Sequence, residues 1–194
     1  WYNFPINPPH VPSENPTGLY RRNFTLDSLR KDEQYIIGFD GVDSAFEVYL
    51  NDEYVGFSKG ARLASEFDVT NYLHEGDNTI AVRVVQWSDG TYLEDQDMWW
   101  LSGLFRDVKL YSRPQNGLYD FRISTYLHDN YTNGELVVTP TFIVNDNQKI
   151  TYQLTKDNQV VFEKTMAGNT SLDEYIDNVQ LWSAEIPTLY DLTL

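Results

Sequence analysis

Apolar and polar positions alternate with a period of two along most of this chain, the mark of strands with one buried face. In Ala45-Phe46-Glu47-Val48-Tyr49-Leu50, Phe46, Val48 and Leu50 share one face and Glu47 and Tyr49 the other. Asn51-Asp52 supplies turn chemistry, and Tyr54-Val55-Gly56-Phe57 reads as the returning strand. Residues 79–85 alternate again, Ile80, Val82 and Val84 against Ala81, Arg83 and Val85, after a polar turn at 73–78. Further strands are predicted at 18–26, 35–39 and 106–111.

The pattern breaks at Ser112-Arg113-Pro114-Gln115-Asn116-Gly117. A second series follows at 121–127, 135–144, 151–155, 159–165 and 189–194, with turns at 132–134, 145–147 and 156–158. Short strands with a turn signal about every 8–12 residues argue for sandwiches. Helical period is weak, and only 172–179 is predicted as a helical turn. The expected architecture is all-β, two β-sandwiches over residues 1–112 and 116–194 joined by a short linker. Pro8-Pro9 and Asn15-Pro16-Thr17-Gly18 predict a stiff surface segment leading into the first strand.

Composition narrows the function classes. With 41% apolar and 15% aromatic residues among 194, the chain can bury a core. A formal charge of −15 argues against nucleic acid and anionic membranes, since both require a basic footprint. The absence of cysteine excludes disulfides, thiolate metal sites and cysteine nucleophiles, and fits a reducing, cytoplasmic compartment. No apolar run approaches the roughly 18 residues of a membrane span. Trp1-Tyr2-Asn3-Phe4-Pro5 lacks both an initiating Met and a signal peptide, and the last strand stops at Leu194, so the chain is expected to be a piece of a longer protein.

His10, His74 and His128 are far apart and form no ligand-like pair, so zinc chemistry is not expected. The most unusual segment is QWSDGTYLEDQDMWWLSGLFRD, residues 86–107. It holds three of the five tryptophans (Trp87, Trp99, Trp100), Tyr92, Phe105 and the acids Asp89, Glu94, Asp95, Asp97 and Asp107. Aromatic faces and carboxylate acceptors together match the C–H and O–H surfaces of a sugar. The plainer alternative is a long inter-strand connection whose aromatics close the core and whose acids are solvated. A self-contained glycosidase dyad is not expected, because catalytic carboxylates need separate rigid supports and about 5–5.5 Å between them.

Residues 7–24 (NPPHVPSENPTGLYRRNF), 39–51 (FDGVDSAFEVYLN), 65–73 (SEFDVTNYL), 86–108 and 181–190 (LWSAEIPTLY) resemble β-galactosidases of glycoside hydrolase family 2, in the family's order and across essentially the whole chain. The resemblance implies a sugar-binding jelly roll followed by an immunoglobulin-like β-sandwich. It also implies that the catalytic barrel, with the nucleophile and acid/base glutamates, lies outside these residues, so this chain carries no catalytic residue and alone is inactive. The complete enzyme would hydrolyse terminal β-D-galactosides such as lactose with retention. By motif position, Asp97 looks like the aspartate that reaches the galactose and helps hold sodium, the other sodium ligands coming from the barrel. A galactose-binding asparagine of the family falls upstream of the proline-rich entry and has no counterpart here. Some members also bind magnesium. Asp89 matches one ligand of that site, but Lys59 stands where a glutamine would be, and an ammonium cannot ligate a cation that requires oxygen donors. The chain itself is therefore expected to hold no complete cofactor site.

The implied partners are the enzyme's own barrel and other domains, a β-galactoside bound through the complete enzyme, and further subunits of a homo-oligomer. Trp87, Trp99 and Trp100 are expected mainly as packing residues, with one lining the pocket. Two other roles remain open at this point: a free-standing carbohydrate-binding module, and a structural assembly domain whose acidic segment forms an interface.

Overall fold

The computed structural model describes residues 5–94, 96–97, 99–143 and 148–194, and within them the chain is all-β. It divides into two compact units, Trp1–Pro114 and Gln115–Leu194.

The first unit is a jelly-roll sandwich. Its strands are β1 (Thr17–Leu26), β2 (Glu33–Phe39), β3 (Val42–Asp43), β4 (Ala45–Leu50), β5 (Glu53–Lys59), β6 (Ser65–Asp68), β7 (Gly76–Val85), β8 (Gly103–Leu104) and β9 (Val108–Pro114). One sheet has the order β1-β7-β4-β5 and the other β6-β2-β9, while β3 pairs with β8. The alternation does what period two requires: Phe46, Val48 and Leu50 of β4 and Ile80, Val82 and Val84 of β7 are buried. Between the sheets Phe39 meets Phe46 at 4.9 Å between ring centroids, and Phe67 stands edge-on to both at 5.9 Å. Each such ring removed from water contributes about 1.5–3 kcal/mol. The β4–β5 hairpin turns on Asn51 and Asp52, whose φ values of 51° and 66° give the left-handed turn that matches strand twist.

The second unit is an immunoglobulin-like sandwich. Its strands are β10 (Leu118–His128), β11 (Asn133–Phe142), β12 (Lys149–Lys156), β13 (Gln159–Ala167), β14 (Leu172–Ile176) and β15 (Asp191–Thr193). The sheets β10-β11-β14 and β13-β12-β15 enclose Leu136, Val138, Ile150, Tyr152, Leu154 and Leu172.

Several local expectations are corrected. The helical turn predicted over 172–179 is instead strand β14, paired to β11 from Gly134↔Ile176 to Val138↔Leu172. Leu172 and Ile176 lie four apart, a spacing shared by one face of a helix and one face of a strand, and pairing to β11 decides it. The break at 112–114 is the end of β9, with Ser112 opposite Tyr35 and Pro114 opposite Glu33. Proline is tolerated there because an edge strand's last residue needs no ladder donor. The turn placed at 132–134 sits at Asp129, Asn130 and Tyr131, all with positive φ, while Gly134 is already inside β11. Similarly, β7 begins at Gly76, within the segment expected to be turn. The predicted turn at 145–147 lies outside the described residues.

Candidate functional site

The acidic and aromatic connection between β7 and β9 is tied down at both ends. At its start, the Asn15 side chain donates to the Trp87 carbonyl at 2.8 Å and accepts from the Trp87 amide at 2.9 Å. A single turn of 3-10 helix, Asp89–Tyr92, follows. The Ser88 amide donates to Thr91 Oγ1 at 3.0 Å, and Thr91 is buried beneath the turn. Tyr92 reaches back to donate its hydroxyl proton to the His10 carbonyl at 2.6 Å, fastening the proline-rich entry to the same turn.

Two attachments run from this turn to the end of β5. Lys59 Nζ donates to Asp89 Oδ2 at 2.6 Å, and this bond holds the Asp89 carboxyl below the ordinary carboxylate range. Both Glu94 carboxylate oxygens lie 3.2 Å from the amide nitrogen of buried Ala61, which donates to them.

The far end is held by arginines. Arg106 Nη1 donates to the carbonyls of Asp40 and Arg62, each at 3.2 Å. The guanidinium carbons of Arg62 and Arg106 stand 5.0 and 5.1 Å from the Phe105 ring centroid. Arg62 also donates to Asp43 Oδ2 at 3.4 Å, yet burial of that carboxyl outweighs the guanidinium and pushes the Asp43 pKa up.

Between the anchors, the apex is exposed. Asp97 faces solvent, and Trp99, Trp100 and Leu101 are 85%, 49% and 74% accessible. Trp99 and Trp100 therefore do not pack into the core of this unit, whereas Trp87 is partly enclosed. Asp95 and Met98 lie outside the described residues. Such an apex exposes a carboxylate acceptor and aromatic side chains close in sequence, the two kinds of surface a pyranose ring can use.

The histidines do not gather. His74 Nδ1 lies 3.1 Å from the Glu75 carbonyl and His128 Nε2 2.7 Å from Glu135, and no group of three or more His, Asp or Glu suited to a metal exists among the described residues. Where the resemblance would place magnesium ligands, the Lys59 ammonium offers three donors and no lone pair, so Lys59 and Asp89 as paired here do not fit a divalent cation. Asp97, an exposed carboxylate, has the right donor type for a hard cation but supplies one ligand only.

An apolar groove lies in the second unit. It measures about 380 Å³ and is walled by Ile123, Leu136, Ile176, Leu181, Trp182 and Leu189. Glu135 is the one carboxylate in its lining, so it lacks the ring of acceptors a sugar requires.

Sequence reading had not singled out Asn15, Arg62 or Arg106 as holding this connection. Their partners across it, Trp87 for Asn15, Phe105 for Arg62, and Asp40 and Arg62 for Arg106, are all distant in sequence, so periodicity carries no trace of them. No helix among the described residues is long and apolar enough to cross a membrane.

Comparison with known proteins agrees with this layout. Residues 1–114 match the sugar binding domain of glycosyl hydrolases family 2, and residues 116–194 match a second region of glycosyl hydrolases family 2. A β-galactosidase of Photobacterium profundum is 42% identical over 203 aligned positions, covering 97% of this chain and 20% of its own. One from Yersinia pestis bv. Antiqua (strain Angola) is 45% identical over 214, again covering 97% and 20%. This chain thus spans about a fifth of the length of these relatives. Among solved structures, a β-glucuronidase from an uncultured Clostridium sp. superposes with a TM-score of 0.76 at 26% identity over 90% of this chain and 32% of its own. An FMN-binding β-glucuronidase from Facaelibacterium prausnitzii L2-6 reaches a TM-score of 0.80 at 19% identity, over 92% and 29%, which speaks to fold alone. With both of its units matched and its relatives agreeing along its length, the chain belongs to glycosyl hydrolase family 2.

Proposed function

We propose that this chain is the sugar-binding and immunoglobulin-like part of a retaining β-galactosidase, acting on terminal β-D-galactosides such as lactose. In that enzyme, the apex of the acidic connection forms one wall of the galactose pocket. Asp97 accepts hydrogen bonds from sugar hydroxyls and contributes one ligand to a sodium ion whose remaining ligands lie outside this chain. Both catalytic glutamates belong to a barrel beyond these residues, so the chain by itself binds no substrate productively and hydrolyses nothing. It packs against the barrel and other domains of a cytoplasmic homo-oligomer.

One observation carries the reading: a connection anchored at both ends presents Asp97, Trp99, Trp100 and Leu101 outward together. Burying that much aromatic surface needs a partner, and a sugar-lined cleft against another domain supplies one. The resemblance to β-galactosidases at 42–45% identity supports the galactoside over other sugars.

The test is an NMR titration of this chain with a β-galactoside to high millimolar concentration, together with Asp97→Ala in the complete enzyme. A charged acceptor is worth about 1.5–3 kcal/mol. We expect no shifts in the isolated chain and at least a tenfold loss of galactoside affinity in the mutant enzyme. Shifts at 96–101 that the substitution abolishes would favour an autonomous binding module. The exposed Trp99 and Leu101 also favour a second reading, an assembly interface. Under it Asp97→Ala would change the oligomeric state and leave substrate affinity unchanged.

A further inference from the structure

We infer that Lys59 is a built-in cation that, together with Glu94, clamps the acidic connection to the end of β5 without a metal ion. The inference concerns how the connection is held, and stands whether or not its apex meets a sugar.

The two attachments form a pair. Lys59 and Ala61 are two positions apart at the end of β5, and their partners Asp89 and Glu94 bracket the 3-10 turn. The turn is therefore fixed at two points to one short stretch of backbone, three residues before Asp97. The chemistry at the two points differs. Glu94 is an acceptor for a buried amide, Ala61 being 1% accessible, which would otherwise go unpaired. Lys59 neutralises charge. Residues 86–107 carry five acids, Asp89, Glu94, Asp95, Asp97 and Asp107, against Arg106 as the single base. Drawing Asp89 against the end of β5 requires a positive partner, and the ammonium at 2.6 Å is that partner. Because it is a donor with no lone pair, it also closes the position to a divalent ion.

The side chains of Lys59 and Asp89 are 48% and 47% accessible, so solvent screens the pair and its effect is the small one of an exposed bridge. An effect of that size is too small to unfold the sandwich and large enough to shift a local opening equilibrium.

Amide hydrogen exchange of the whole chain, read by mass spectrometry in peptides covering 86–94, tests the assignment. We expect Lys59→Met and Asp89→Asn each to speed exchange there by about two- to fivefold, with the double variant no faster than either single one. Lys59→Arg should restore protection. On the wild type, 0.5 M NaCl should speed exchange in the same peptides, an arm that needs no variant to fold. Ten millimolar MgCl2 should match NaCl of equal ionic strength. Slower wild-type exchange in MgCl2 than in matched NaCl would overturn the inference, because a metal would then be holding the turn. Unchanged exchange in Lys59→Met would overturn it equally, by showing that the pair holds nothing.

Discussion

The side-chain amide of Asn15 and the backbone of Trp87 exchange two hydrogen bonds, 2.8 Å from Nδ2 to the carbonyl and 2.9 Å from the amide to Oδ1, across 72 positions of sequence. The Gln86 amide donates to the Pro16 carbonyl at 2.9 Å just before it, so the Asn15 amide prolongs the β1–β7 ladder by one rung. Proline has no donor of its own, and a side-chain amide, with donor and acceptor in one plane, substitutes for the missing strand residue.

Asn15 is therefore expected to be intolerant even of its closest isosteres. Asn15→Asp keeps the shape but loses the donor and sets a carboxylate against the Trp87 carbonyl; Asn15→Ala loses both bonds. Each should cost about 1–3 kcal/mol. Urea unfolding followed by tryptophan fluorescence checks it, since Trp1, Trp87, Trp99 and Trp100 belong to the first unit. An Asn15→Asp midpoint equal to that of the wild type would remove this role.

Asn78 is the second amide on which the jelly roll depends. It is 1% accessible and makes four hydrogen bonds: Oδ1 accepts from Asn51 Nδ2 at 2.8 Å and the His74 amide at 3.1 Å, and Nδ2 donates to the carbonyls of His74 at 2.7 Å and Gly76 at 3.0 Å. Asn51 in turn donates to the Tyr72 carbonyl at 2.8 Å and accepts from the Thr79 amide at 2.9 Å. Truncation leaves buried backbone groups unpaired, so Asn78→Ala should lose about 2–3 kcal/mol, the penalty of stranded groups. A double-mutant cycle with Asn51→Ala should return a coupling of at least about 0.5 kcal/mol. Strict additivity would mean that the two amides act separately.

What the sequence made legible follows from which forces have a period. The faces of β4 and β7 could be read directly because burial acts at every second residue, and Phe46, Val48, Leu50, Ile80, Val82 and Val84 are all buried. The two-residue strands β3 and β8 are too short to carry any period, and β6 has only four residues. The site divides the same way. Its acids and aromatics cluster within residues 86–107 and are visible by composition, whereas Asn15 and Arg62 act through contacts with distant segments. Whether Trp99 and Trp100 face the core of this unit was not legible, because an exposed aromatic and a buried one look alike in sequence.

One hydrogen bond in the second unit should report at both ends of the pH scale. Tyr175 donates its hydroxyl proton to Asp129 Oδ2 at 2.5 Å, and Asn133 Nδ2 donates to the same oxygen at 2.7 Å. These donors hold the Asp129 carboxyl below its usual range, while the carboxylate pushes the Tyr175 phenol up. The Asp129 contribution is present above the unfolded pKa of about 3.9 and is lost as pH falls through the lower folded value. The Tyr175 contribution is present below about 10 and is lost as pH rises through the higher folded value. Thermal unfolding of wild type and Tyr175→Phe should thus differ most near neutrality and converge at acid and alkaline pH. A constant difference from pH 3 to 11 would show that this bond is not the source.

Tyr152 poses the opposite case, a polar atom whose removal should help. Its ring is fully buried among Leu136, Val138, Ile150, Leu154 and Leu172, and its hydroxyl has no hydrogen-bond partner among the described residues. Burial alone raises the phenol's pKa. A stranded buried hydroxyl carries a desolvation penalty of about 1–3 kcal/mol, whereas the ring contributes packing like any core aromatic. Tyr152→Phe deletes the penalty and keeps the packing, so the second unit should be as stable as wild type or more so. Tyr152→Ala removes the ring as well and should lose about 3–5 kcal/mol. Denaturant unfolding followed at Trp182, the tryptophan of that unit, separates the two effects. A loss above about 1 kcal/mol for Tyr152→Phe, the net worth of a typical hydrogen bond, would mean that the hydroxyl has a partner after all.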